Sequence, residues 1–316
     1  MKLAMMFPGQ GSQSVGMLAT LAAAESVVTE TFAEASAALG YDLWALTQEG
    51  PEERLAETER TQPAMLAAGV AAWRAWRRRD GPAPEMLAGH SLGEYSALVA
   101  GGAIEFAAAV DLVRFRGQAM QRAVPAGTGA MAAILGLDDA IIEAVCAEVG
   151  QGEVVQPVNY NSPGQLVIAG HASAVARAVA ACKARGAKRA VTLPVSAPSH
   201  SALMKPAAEE LRERLRALPI RALAIRVHSF DGGTYDGADS IRDGLYRQLF
   251  NPVRWSAIVT AMIGAGATHL FECGPGKVLL GLARRAPGGR ELEMQAIESP
   301  ETLDAALRAA GGSQQS

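Results

Sequence analysis

Residues 84–100 read PEMLAGHSLGEYSALVA, and the order of elements inside this stretch decides the fold. The apolar run at 84–88 reads as a strand, the G-x-S-x-G pattern of Gly89, Ser91 and Gly93 as a sharp turn, and Leu92–Ala100 as a helix. Glycines stand two residues either side of the serine because side chains there would clash in so tight a turn. Such an elbow holds a serine at a helix N-terminus, where free amides and the helix dipole favour an oxyanion. The pattern alone is common by chance; a strand before it and a helix after it point to a nucleophile in an α/β sheet.

Working outward, LAMMF at 3–7 is an apolar run stopped by Pro8 and Gly9, which predicts a buried strand feeding a tight loop. Helical spacing follows at 25–39 and from Gln62 to Arg78. After Gly127 the elements shorten: AMAAILGL, a helix over Asp138–Val149, VVQPVNYN, QLVIAGH, a helix over Ser173–Arg185, and RAVTLPV, with a hairpin turn at SPG (162–164). That β-α-β-β-α-β order is ferredoxin-like. Beyond Pro198 the α/β rhythm returns through IRVHSF, a helix at 239–249 and the strand THLFEC. The expected fold is a hydrolase-like α/β domain with a parallel sheet (1–126 and 198–316) carrying an inserted ferredoxin-like βαββαβ domain (127–197). A polar tail after Gly311 is expected to fray.

The 316 residues carry a net charge of −3, which gives no electrostatic footprint for nucleic acid. The one basic cluster, Arg74 with Arg77–Arg79, reads as a solvated helix end, with a surface for an acidic partner as the alternative. Three widely spaced cysteines, Cys146, Cys182 and Cys273, suggest neither a disulfide framework nor a metal site. No apolar run reaches the roughly 18 residues of a membrane span, and MKLAMMFPGQG is too short for a signal peptide, so a cytoplasmic protein is expected.

The loop FPGQGSQ (7–13) invites a phosphate-binding reading, but Ser14 stands where a dinucleotide fingerprint wants glycine, and no P-loop lysine follows. It remains a glycine turn that fixes the direction of the Gln10 amide. Among five histidines, His90 flanks the serine and should point away from Oγ, His171 ends a strand, and His228 and His269 lie in apolar runs. His200, in the loop SAPSHSALMKP, is the best base for Ser91. No acidic residue occupies an evident slot to orient it, so a carbonyl or side-chain amide is expected to hold Nδ1, making a Ser-His dyad. Helix 105–123 offers Arg114 and Arg116, either snorkelling surface residues or a clamp for a substrate carboxylate.

Seven collinear motifs, FPGQGSQ (7–13), GHSLGEYSAL (89–98), RGQAMQ (116–121), NYNSPGQLVIAG (159–170), PSHSALM (198–204), QLFNPVRW (248–255) and GPGKVL (274–279), resemble the malonyl-CoA:acyl carrier protein transacylase family of bacterial type II fatty acid synthesis. The resemblance implies an acylated Ser91, His200 as its base, and an oxyanion hole from the amides of Gln10 and Leu92. It implies that Arg116 pairs with the malonyl carboxylate, that Gln248 supports His200 through its main-chain carbonyl, and that Asn161 lies near the pocket. Ser229 departs from the asparagine often found there. The partners implied are malonyl-CoA and acyl carrier protein, with no nucleic acid or membrane, no metal or other cofactor, and a monomeric state. Competing readings are a thioesterase on the same elbow, a polyketide or malonate decarboxylase acyltransferase, and a non-catalytic carrier-binding module.

Overall fold

A computed structural model describes residues 1–125, 127–195 and 197–311. Nine strands occur among them: β1 (Leu3–Phe7), β2 (Met86–Gly89), β3 (Gly129–Leu135), β4 (Val155–Ser162), β5 (Gln165–His171), β6 (Arg189–Thr192), β7 (Arg226–Val227), β8 (His269–Cys273) and β9 (Glu293–Ile297). They form a parallel five-stranded sheet in the order β7-β2-β1-β8-β9 and an antiparallel four-stranded sheet in the order β4-β5-β3-β6.

All five residues of β1 are buried, as a central parallel strand covered on both faces requires. The chain runs from β1 outward through β2 to β7 on one side and then crosses to β8 and β9 on the other. The carboxyl ends of β1, β2, β7 and β8 therefore open onto one crevice, where ligands bind in open α/β sheets. The helices Thr58–Arg78 and Phe106–Ala123 cross closely because Gly117 lacks a side chain: a Cβ there would lie 2.8 Å from Glu59 Cα and Thr58 O.

The smaller sheet, with helices Asp139–Val149 and Ala172–Ala184, has the ferredoxin-like order and lies within the 127–197 span. Ile134, Ile142, Val145, Leu166, Ile168 and Val175 fill its core. Its β4 edge is joined to the larger unit by Tyr160 N–H to Val253 O and Val253 N–H to Val158 O, both 2.9 Å.

Several expectations shift. The strand expected across IRVHSF shrinks to β7, because after Val227 the chain turns, with Ser229 N–H donating to Gly233 O at 3.0 Å. β9 is absent from the sequence reading because its charged and polar positions, Glu293 and Gln295, hide an edge strand of five residues. The basic cluster is not simply solvated. Arg74 meets Glu34 at 2.7 Å, Arg78 meets Glu30 at 3.2 Å and Arg79 meets Glu25 at 2.9 Å, tying one helix to the next. Half-exposed pairs of this kind contribute about 0–1 kcal/mol each. The three cysteines are buried thiols. No helix among the described residues is long and apolar enough to cross a membrane. Ala126, at the expected boundary, and the tail from 312 lie outside the described residues.

Candidate active site

The elbow after β2 is dictated by its glycines. A Cβ on Gly89 would fall 1.9 Å from Gly93 C, and one on Gly93 would fall 2.0 Å from Phe7 O. Ser91 sits between them in left-handed backbone, φ 53°. The loop after β1 rests on the elbow: His90 N–H donates to Phe7 O at 3.0 Å, and a Cβ on Gly9 would lie 3.7 Å from Leu92 N. The main-chain amides of Gln10 and Leu92 have no intramolecular acceptor among the described residues, so they remain available to an incoming anion.

Ser91 Oγ is 2.7 Å from His200 Nε2. His200 is 2% exposed, and its Nδ1 lies 2.7 Å from the main-chain oxygen of Gln248. A carbonyl only accepts, so Nδ1 carries the proton and Nε2 presents its lone pair to the serine hydroxyl. Burial, aided by the charge of Arg116, pushes the His200 pKa down to about 3, which keeps the imidazole neutral, with its Nε2 lone pair free to receive the serine proton. The loop is pinned by His200 N–H to Leu249 O at 3.0 Å, so residues 248 and 249 grip the histidine twice.

Arg116 is 2% exposed. Its Nη1 donates to Gln62 Oε1 at 2.9 Å, and its Nη2 donates to Gln248 Oε1 at 2.9 Å and to Ser91 Oγ at 3.3 Å. Its Nε has no partner among the described residues, and the guanidinium lies 5.5 Å from the Tyr95 ring centre. Burial lowers the Arg116 pKa, while Tyr95 and Glu94 act to keep it protonated. Arg114, two residues earlier, faces outward to Asp111 and to Leu39 O. The surface reading thus applies to Arg114, whereas Arg116 is buried beside Ser91.

Asn161 on β4 reaches the elbow from the smaller unit, with Oδ1 2.9 Å from His90 Nε2. The His90 ring, 5.5 Å from that of Trp255, is thereby turned away from Ser91 Oγ. Ser229 donates to Asp231 Oδ1 at 2.6 Å and makes no hydrogen bond to Ser91, His200 or Arg116. His171 accepts from Val154 N–H at 2.9 Å, His269 pairs with Thr268, and His228 is buried with both ring nitrogens unpartnered among the described residues, so none of them hydrogen-bonds to the serine.

Two residues of the site lie outside the sequence reading. Gln62 belongs to an alanine-rich helix that reads only as core. Glu94 opens the helix after the elbow and would pass for a surface residue, but the segment after β7 folds over it. It is fully buried and accepts from Gln248 Nε2 at 2.5 Å, from Phe230 N–H at 3.2 Å and from the Tyr235 hydroxyl. Burial raises its pKa to about 7 against these three donors.

Comparisons with known proteins agree on one group. The acyl transferase domain family matches residues 5–279. The malonyl CoA-acyl carrier protein transacylase of Escherichia coli K12 is 58% identical over 307 residues, 97% of this chain and 99% of the relative. That of Bacillus subtilis is 44% identical, over 97% and 96% of the two chains. Among solved structures, a malonyl-transacylase in complex with its type II PKS acyl-carrier protein superposes with a TM-score of 0.96 at 54% identity, covering 98% of this chain and 100% of the other. An acyl carrier protein S-malonyltransferase from Vibrio cholerae O1 gives 0.94 at 56%, covering 96% and 99%.

Proposed function

The chain belongs to the malonyl CoA-acyl carrier protein transacylase family, and on that footing we propose that it moves a malonyl group from malonyl-CoA to the phosphopantetheine thiol of an acyl carrier protein, through a malonyl ester of Ser91. The observation that carries this reading is the Arg116 guanidinium, buried within 3.3 Å of Ser91 Oγ. A buried cation offsets its desolvation only against an anion, and malonyl, unlike acetyl, brings a carboxylate to its far end.

The cycle is ping-pong. His200 Nε2 takes the Ser91 hydroxyl proton as Oγ attacks the thioester carbonyl, and the developing oxyanion faces the Gln10 and Leu92 amides. The C–S bond breaks, the CoA sulfur takes the proton from His200, and CoA leaves. The carrier thiol then gives its proton to His200, attacks the ester, and the proton returns to Ser91 Oγ. Every proton has a donor and an acceptor within the site, and the cycle calls on no metal or redox cofactor. The same reading takes the protein as a cytoplasmic monomer. The relative solved with a type II PKS carrier favours a second acceptor class, polyketide carrier proteins.

Intact mass of the protein after incubation with malonyl-, methylmalonyl- and acetyl-CoA tests the reading. A malonyl adduct that is lost in Ser91→Ala and discharged by holo-acyl carrier protein supports it. An adduct that persists in Ser91→Ala, or free malonate in place of transfer, overturns it in favour of another nucleophile or a thioesterase.

A further inference from the structure

Gln248 is the joint between the base and the arginine. Its carbonyl accepts from His200 Nδ1 at 2.7 Å, its Oε1 accepts from Arg116 Nη2 at 2.9 Å, and its Nε2 donates to Ser91 O at 3.0 Å and to Glu94 Oε2 at 2.5 Å. Only one orientation of this amide is workable. A guanidinium only donates, while a carboxylate and a peptide carbonyl only accept, so Oε1 must face Arg116 and Nε2 must face Glu94. Arg116 and Ser91 O favour that choice and Glu94 reinforces it, sitting fully buried with three donors aimed at it, those of Gln248, Phe230 and Tyr235.

We propose that Glu94 is a positioning residue for specificity: through Gln248 it holds the Arg116 guanidinium where an acyl carboxylate arrives, and so sets the preference for malonyl over uncharged acyl groups. This rests on the reading of Arg116 as the carboxylate's partner. The consequence of an isosteric change is specific. In Glu94→Gln the side-chain oxygen stays with Tyr235 and Phe230, so the new NH2 meets the NH2 of Gln248. Turning Gln248 over relieves that clash only by pointing its NH2 at Arg116. The guanidinium then loses its Gln248 acceptor, keeps only that of Gln62, and shifts from its place beside Ser91, while Gln248 still offers its main-chain oxygen to His200.

The test is the ratio of malonyl to acetyl transfer, as kcat/KM, in wild type, Glu94→Gln, Tyr235→Phe and Arg116→Ala, with thermal unfolding of each. Glu94→Gln is expected to lower the ratio roughly ten- to a hundredfold, the span that loss of a hydrogen bond to a charged group produces. Most of that loss should appear in KM for malonyl-CoA, with acetyl transfer lowered less, since the turned Gln248 also gives up its bond to Ser91 O. Tyr235→Phe removes one donor to Glu94 but keeps the carboxylate and its hold on Gln248, so the ratio should stay near wild type even where stability falls. An unchanged ratio in Glu94→Gln overturns the proposal, as does an equal fall in Tyr235→Phe, which would mean general loosening. If Arg116→Ala also keeps the wild-type ratio, the reading of Arg116 falls and the proposal with it; if Arg116→Ala loses the ratio and Glu94→Gln does not, only the proposal falls.

Discussion

Ser91 and His200, joined by a hydrogen bond of 2.7 Å, both stand in left-handed backbone, with φ of 53° and 64°. A residue with a Cβ holds that conformation at a cost of about 1–2 kcal/mol, so the surrounding structure must impose it. Around Ser91 the imposition comes from Gly89 and Gly93, whose backbones meet where no Cβ fits. Around His200 it comes from the paired grip of residues 248 and 249.

The strain at Ser91 has a measurable sign. Ser91→Ala and Ser91→Gly remove the same hydroxyl, and both should fail to acylate. Glycine nevertheless adopts positive φ without penalty, so Ser91→Gly should be the more stable of the two by about 1 kcal/mol, the reverse of the usual order within a helix. Urea midpoints of the two variants check this. Equal midpoints would mean that the elbow is not strained.

Arg116 offers its planar fork to Gln62 on one side and to Gln248 and Ser91 on the other. A lysine ammonium keeps the charge but cannot span both amides. Arg116→Lys should therefore raise KM for malonyl-CoA about tenfold or more, the effect of losing one charge-assisted hydrogen bond. Steady-state kinetics against malonyl-CoA would show this, and a KM equal to wild type would reduce Arg116 to a point charge.

Gly117 sets the distance between Arg116 and Gln62. A methyl group there would lie 2.8 Å from Glu59 Cα and Thr58 O, both backbone atoms, so the two helices must separate. Gly117→Ala should destabilise by about 1–3 kcal/mol, as overpacking does, and should also weaken malonyl transfer more than acetyl transfer. Thermal unfolding and the two transfer rates test the two halves separately.

The sequence carried the parts of the site that depend on local geometry. The elbow needs Gly89, Ser91 and Gly93 within five residues, and the apolar run QLVIAGH marks β5 from end to end, Gln165–His171. His200 stands out by its loop; with no acid at hand a carbonyl or a side-chain amide is expected at Nδ1, and the structure places the Gln248 carbonyl there. Glu94 was illegible for a different reason. Its burial is created by Phe230 and Tyr235, far along the chain, and a glutamate in the first turn of a helix is ordinarily solvated. Gln62 is hidden likewise, since its hydrogen bond to Arg116 exists only once Gly117 lets helix Phe106–Ala123 approach. β9 escapes the sequence reading because its polar–apolar alternation runs over only five residues, too short to stand out.

His200 gives the stability of the protein a signed pH dependence. In the unfolded chain the imidazole takes its proton near pH 6.5, whereas in the fold burial and the neighbouring Arg116 charge delay protonation to about pH 3. The unfolded state therefore binds more protons between these values, so the stability this residue contributes is complete above pH 6.5 and is lost as pH falls toward 3. Glu94 and Glu272 slope the other way: burial raises each from 4.5 to about 7, so their contribution is complete below pH 4.5 and is lost as pH rises through 7. Total stability mixes the two trends, and a difference between variants separates them. The urea midpoint of wild type minus that of His200→Gln should shrink steadily from pH 7 to pH 4, because the two carboxylates are common to both proteins and cancel. A difference independent of pH over that range would show that His200 titrates as an exposed histidine does. The same titration bears on catalysis, since a base that is already neutral at pH 5 leaves no acid limb near pH 6.5 of its own in the rate of Ser91 acylation.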